Sequence, residues 1–219
     1  MIANPTRSAS DTVRRAERLP VTWVRAAVVV LASFAIGMVT FFAQGFLPDA
    51  LTSFANSASG WTVVTVLLLA WARVSTPLAA ALGAVSFVLL TVGYSASAHL
   101  QGLFYDPTLF AIVGVVVGPF VGVATSWLRA DAEWRTAAGT ALLTGIGLGE
   151  AAFGLTAVAA TTSPVYWVLI GLVALGLLVA MLVRRIRTAL VRGATVVGAA
   201  AVAGAFLAAY STLGTTPLS

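Results

Sequence analysis

The chain has no cysteine, no lysine, a single histidine and little charge of either sign. Without cysteine there is no disulfide, no thiol chemistry and no Cys-ligated metal. His99, with no close pair of carboxylates, makes a poor metal site. No phosphate-binding loop or dinucleotide fingerprint is present, and no polar domain to carry one, so no cofactor is expected. Charged residues make up 9% of the chain, against about 25% in soluble domains, too few to cover a surface facing water. What remains is apolar: 60% hydrophobic residues, with a mean hydropathy of +1.01. The apolar runs are continuous rather than alternating, which points to helices solvated by lipid and away from a closed barrel. The net charge of +5 is not a nucleic-acid footprint, because all twelve basic residues are Arg beside apolar segments. This Lys-free composition, rich in Ala, Val, Gly and Arg, suggests a bacterial genome of high GC content.

The expected fold is an all-α integral membrane protein. Residues 1–22 read as a polar cytoplasmic tail, 23–213 as a single transmembrane domain and 214–219 as an external tail. Seven apolar segments lie near 23–47, 60–73, 77–98, 107–128, 136–160, 165–183 and 193–213. Most reach the roughly 20 residues that a crossing requires. The second is short, about 21 Å at 1.5 Å per residue. Either it starts earlier, through LTSFANSAS, or its outer part is not helical.

Arginine sets the orientation. Arg7, Arg14, Arg15, Arg18 and Arg25 lie at or before the start of segment 1, and Arg73 follows segment 2. Arg129 and Arg135 lie between segments 4 and 5, and Arg184, Arg185, Arg187 and Arg192 between segments 6 and 7. With seven crossings all of them fall on one side, and the opposite loops hold none. The positive-inside rule then puts the N-terminus in the cytoplasm and the C-terminus outside, in a bacterial inner membrane. Trp71-Ala72-Arg73 recurs as Trp127-Leu128-Arg129, and Gly83 and Gly93 match Gly139 and Gly149 at the same offset. That suggests a duplication in which segments 2–3 and 4–5 form parallel hairpins.

Gly114, Gly118 and Gly122 recur at i, i+4 and i+8, a spacing that lets two helices approach closely in lipid. Trp23, Trp61, Trp71, Trp127, Trp134, Tyr166 and Trp167 lie near segment ends, where interfacial anchoring is expected. In FANSASGW, residues 54–61, the residues Asn56, Ser57 and Ser59 suit the cap of the following helix, which would aim N–H groups and a positive dipole end into the outer half.

Glu150, in LLTGIGLGEAAFGL, is the only acidic residue inside a segment. A charged carboxylate facing lipid costs several kcal/mol, so Glu150 should face the bundle. Gly147, Gly154 and Ala157 share its helical face and leave room for a neighbour. No Arg lies at its depth, which leaves Tyr94, Gln44 or Asn56 as expected partners. Gln44, Tyr94 and Glu150 all fall roughly 20–28 Å from the inner boundary, and Asn56 and His99 enter from the same side.

The landmarks QGFLPDALTSFANSASGW and GLGEAAFG resemble a family of small, mainly actinobacterial, multi-pass membrane proteins of unknown function, over roughly residues 25–213. That resemblance rests on Leu47, Pro48, Ala55, Asn56, Ser57, Trp61, Gly149 and Glu150 and implies no activity. GVVVGPFVGVATSW is more weakly similar to a helix of the substrate-binding subunits of energy-coupling-factor transporters.

The leading expectation is a small-solute binding or transport component, with Glu150, Gln44, Asn56, Tyr94 and His99 taking a small molecule from the outer side. The rival is a non-transporting scaffold or partner-binding protein, docked to a membrane subunit, in which Glu150 is a hydrogen-bond anchor. An enzyme is not expected. A lipid-modifying one would need a second carboxylate or a His beside Glu150, and His99 is the only candidate.

Overall fold

The computed structural model describes residues 5–213, with side chains described for 21–55 and 57–212. Among them there is no strand. The expected external tail, 214–219, lies outside the described residues, as do the side chains of Arg7, Arg14, Arg15, Arg18 and Asn56.

Seven α-helices run in order: α1 Pro5–Phe46, α2 Ala58–Ala72, α3 Thr76–Leu100, α4 Thr108–Trp127, α5 Glu133–Phe153, α6 Pro164–Arg184 and α7 Ala189–Leu213. Six contain stretches long and apolar enough to cross a membrane, that of α1 being Val21–Phe46. The protein is therefore a multi-pass membrane protein. The polar segment expected to be a tail is helical from Pro5 and continuous with α1; no Gly or Asn that would cap it intervenes before the apolar run.

The short second segment is a broken one. A 3₁₀ segment, Asp49–Asn56, precedes α2 and is bent from it by 65°. Its start, directly after Pro48, follows from the fixed φ of proline. The break comes at Ser57, whose extended backbone leaves its Oγ free to cap α2 by accepting from Gly60 N at 2.9 Å.

α3 packs between α1 and α4, while α5 packs against α4, α6 and α7. The short α2 touches α1, α3, α4 and α5, so it lies where these two groups meet. Small residues set the closest approaches. Gly114, Gly118 and Gly122 of α4 face Phe87, Gly83 and Ala79 of α3. Gly147 of α5 meets Ala174, and Gly154 meets Trp167, both on α6. In lipid, where apolar burial gives little drive, such close backbone packing holds helices together.

The proposed hairpin equivalence does not extend to these contacts. Gly83 packs on the helix that follows its own, but Gly139 packs on the one before, at Ala124. Gly93 meets α1 at Phe34, whereas Gly149 meets α7 at Ala203. Matched glycines therefore face non-equivalent neighbours.

The Arg-bearing ends of the helices gather at one end of the bundle and brace one another. Arg25 Nη1 donates to Ala72 O (3.4 Å), Arg129 Nη1 to Ala70 O (3.2 Å) and Arg185 Nη2 to Ala130 O (3.0 Å). Ala70 and Ala72 lie in the last turn of α2, where carbonyls lack a partner within the helix and two guanidinium groups fill that role, while Ala130 lies in the loop after α4. Glu133, the first residue of α5, accepts from Arg187 N, from Thr188 N at 2.7 Å and from Thr188 Oγ1 at 2.8 Å, which caps α7 from a neighbouring helix.

Candidate functional site

The strongest polar constellation lies at the break before α2. Glu150 is only 2% exposed. Its Oε1 accepts from Ala58 N at 2.7 Å and its Oε2 from Ser59 N at 2.5 Å. These are the first two N–H groups of α2. Gly60 N is taken by Ser57 Oγ, and Trp61 N donates to Ser57 O at 3.3 Å. The opening turn of α2 is thus satisfied by one carboxylate from α5 and one serine. This is the arrangement by which helix N-termini bind anions, with a resident side chain as the anion.

Around this pair, Tyr166 Oη is hydrogen-bonded to Ser57 Oγ at 2.5 Å. The Gly60 N–H already occupies Ser57 Oγ as an acceptor. The Ser59 hydroxyl is buried and makes no hydrogen bond. Tyr166 is 3% exposed and Trp167 6%. Neither is the interfacial anchor expected from its position. Both are core residues at the α5–α6 contact, with Trp167 Nε1 donating to Thr162 Oγ1 at 2.9 Å. Trp167 is accommodated by Gly154, which opens space for its ring. Trp23, Trp71 and Trp134, in contrast, are largely exposed, as anchors should be.

A family model for a family of unknown function, DUF6518, matches residues 16–215. The chain belongs to that family. The match takes in all seven apolar helices except the polar start of α1. No curated protein and no solved structure matches the chain.

In this DUF6518 chain the four described side chains among those expected to converge have separate partners. Gln44 Nε2 donates to Tyr94 Oη at 3.3 Å. Tyr94 packs edge-on against Tyr105 and Phe41. Among the described residues, Glu150 makes no hydrogen bond to Tyr94 or Gln44. Its ligands are backbone N–H groups of α2, because a helix N-terminus offers two parallel donors that match a carboxylate. His99 is exposed and lies against the Phe104 ring, 5.9 Å between centroids. Asn56 has no described side chain. Ala157, placed on the face of Glu150 by regular α-helical spacing, is exposed instead. The chain forms a π turn over Gly154–Val158, which changes the residue spacing there.

A buried hydroxyl string was not anticipated from the sequence. Ser33 Oγ donates to Val29 O at 2.7 Å and is bonded to Ser86 Oγ at 2.8 Å, and Thr65 Oγ1 meets Ser86 Oγ at 3.0 Å. It links α1, α3 and α2 through three fully buried hydroxyls. Among the described residues no group of three or more His, Cys, Asp or Glu could hold a metal ion.

Tyr105, half-buried in the loop before α4, has its hydroxyl pushed up from 10 to about 12, by burial first and then by Tyr94 and Asp106. The folded state therefore keeps a proton that the unfolded chain releases near pH 10. Its stabilising contribution is complete below pH 10 and is lost as the pH rises to about 12. In Tyr105→Phe the alkaline loss of stability should be shallower over that range, as read by thermal unfolding at stepped pH. An unchanged slope would assign the loss to other groups.

Proposed function

We propose that this is a non-catalytic, non-transporting protein of the bacterial cytoplasmic membrane that binds a membrane partner, with Glu150 as its internal anchor. The observation that carries this reading is the use of both Glu150 oxygens by the first two N–H groups of α2. Both oxygens are engaged by the helix and the residue is almost fully buried, which favours an anchor over a solute site. The partner-binding part is supported by α7, which is only 11% buried over its apolar window. Gly193 and Gly204 on that helix have nothing within 4 Å. Fully lipid-facing helices have little use for glycine, whereas helix–helix contacts in membranes favour it.

A small-solute binding or transport role is the second reading. It is favoured by the broken second span, a feature shared with transporter sites. Proteoliposomes loaded with the pH dye pyranine separate the two. The anchor reading expects no Glu150-dependent proton flux under an imposed pH gradient. A flux that Glu150→Gln abolishes while the bundle stays folded would overturn it.

The orientation reading places the Arg-bearing end in the cytoplasm. The absence of native cysteine allows a clean check. Single cysteines at the exposed positions Gln101 and Thr161 should react with an impermeant maleimide on intact cells, while those at Asp131 and Thr188 should not. Labelling at the last two would reverse the topology.

A further inference from the structure

We propose that the angle of the broken second span receives a hydrocarbon chain of a membrane lipid. A half-open cavity of about 140 Å³ lies between α1, the 3₁₀ segment, α2 and α3. Its walls include Ile36, Val39, Ala43, Phe54, Trp61 and Leu90. Thr40 also lines it, but its hydroxyl is spent on Ile36 O at 2.7 Å. The lining thus offers a water almost nothing to bond, and a cavity on the order of 150 Å³ walled by aliphatic groups stays dry and takes an apolar guest.

The depth selects the guest. Trp61 lies twelve residues before Arg73, so roughly 18 Å from the Arg-bearing end at 1.5 Å per residue. At that depth in a hydrocarbon core about 30 Å thick, the surroundings hold acyl chains rather than headgroups. Val39 and Phe54, on the cavity wall, are 62% and 39% exposed, so the mouth opens sideways toward lipid. The cavity follows from the 65° bend. The 3₁₀ segment and α2 both pack on α1, and the angle between them leaves a gap that no side chain fills. The volume accepts part of a chain, held against the Trp61 ring, not a whole lipid.

The test is quenching of Trp61 by phosphatidylcholine with brominated acyl chains, in bilayers carrying the full-length protein. The Trp61 signal is the difference between wild type and Trp61→Phe. It should be quenched, and Ala43→Phe, which fills the cavity from α1, should at least halve that quenching. Ala43→Val should reduce it by less, and it serves as the measured variant if Ala43→Phe does not fold. An unquenched Trp61 would overturn the proposal. Quenching that neither filling variant reduces would also overturn it, by assigning the contact to lipid packed around the bundle.

Discussion

Glu150→Gln is expected to destabilise the protein by about 2–3 kcal/mol, although it preserves side-chain size and hydrogen-bonding capacity. The reason is the direction of the bonds. Both carboxylate oxygens accept, one from Ala58 N and one from Ser59 N. An amide has one oxygen, so its NH₂ group must face an N–H. One of the two bonds becomes a donor–donor contact at a buried site, and flipping the amide only moves the conflict to the other N–H. Glu150→Leu removes both acceptors and leaves two N–H groups of α2 unpartnered, at about 1–3 kcal/mol each. The expected order is wild type, then Gln, then Leu, measured by denaturation in mixed micelles. A Gln variant as stable as wild type would show that the α2 terminus does not depend on the carboxylate. Tyr166→Phe should cost less than either, since Ser57 Oγ keeps its bond from Gly60 N.

Gly122→Ala is expected to separate α3 from α4 and to cost about 3 kcal/mol. A Cβ there would lie 2.0 Å from Ala79 O and 2.6 Å from Ala79 C. Those are backbone atoms of a packed helix and have no rotamer to escape into. Gly118→Ala meets a similar obstacle, 2.6 Å from Gly83 O. Gly204→Ala is the control, because nothing lies within 4 Å of that site. Replacing a helical glycine with alanine is intrinsically favourable by roughly 0.5–1 kcal/mol, so Gly204→Ala should be neutral or mildly stabilising. Thermal aggregation midpoints of the three variants would check this. Equal effects at Gly122 and Gly204 would mean that general helix propensity, and not the α3–α4 contact, governs both positions.

These two results bear on different parts of the function. The α4 glycines assemble the group of α1, α3 and α4. The Glu150 contact ties α5 of the other group to the short α2 between them. Loss of the first should loosen the bundle as a whole. Loss of the second should free the break before α2 and change the lateral cavity with it.

Much of this architecture was legible in the sequence. Hydropathy alone gives the membrane class, since roughly 20 apolar residues in a row have few other stable environments. The Arg pattern anticipates that these ends meet, and the braces from Arg25, Arg129 and Arg185 to backbone carbonyls show them together. The shortness of segment 2 signalled a break, and Ser57 was among the expected caps. The need for Glu150 to face inward also followed from its charge.

The partner of Glu150 was decided only by tertiary structure. Its ligands lie 92 and 91 residues away and are backbone N–H groups. Every non-proline residue carries such a group, so no side-chain pattern singles out Ala58 and Ser59. Which N–H groups are orphaned depends on where the helix starts, and which orphan meets the carboxylate depends on how α2 is wedged against α5. The same limit explains Trp167, read as an anchor from its place near a segment end. Depth along a helix is encoded by residue count, but the direction a residue faces near a terminus is set by packing, here by the space left at Gly154 beside Trp167. Sequence by itself determined the solvent, the spans and the common end of the arginines, because these depend on composition along one dimension. The break, its cap and the cavity beside it depend on which helices touch, and that only the folded bundle decides.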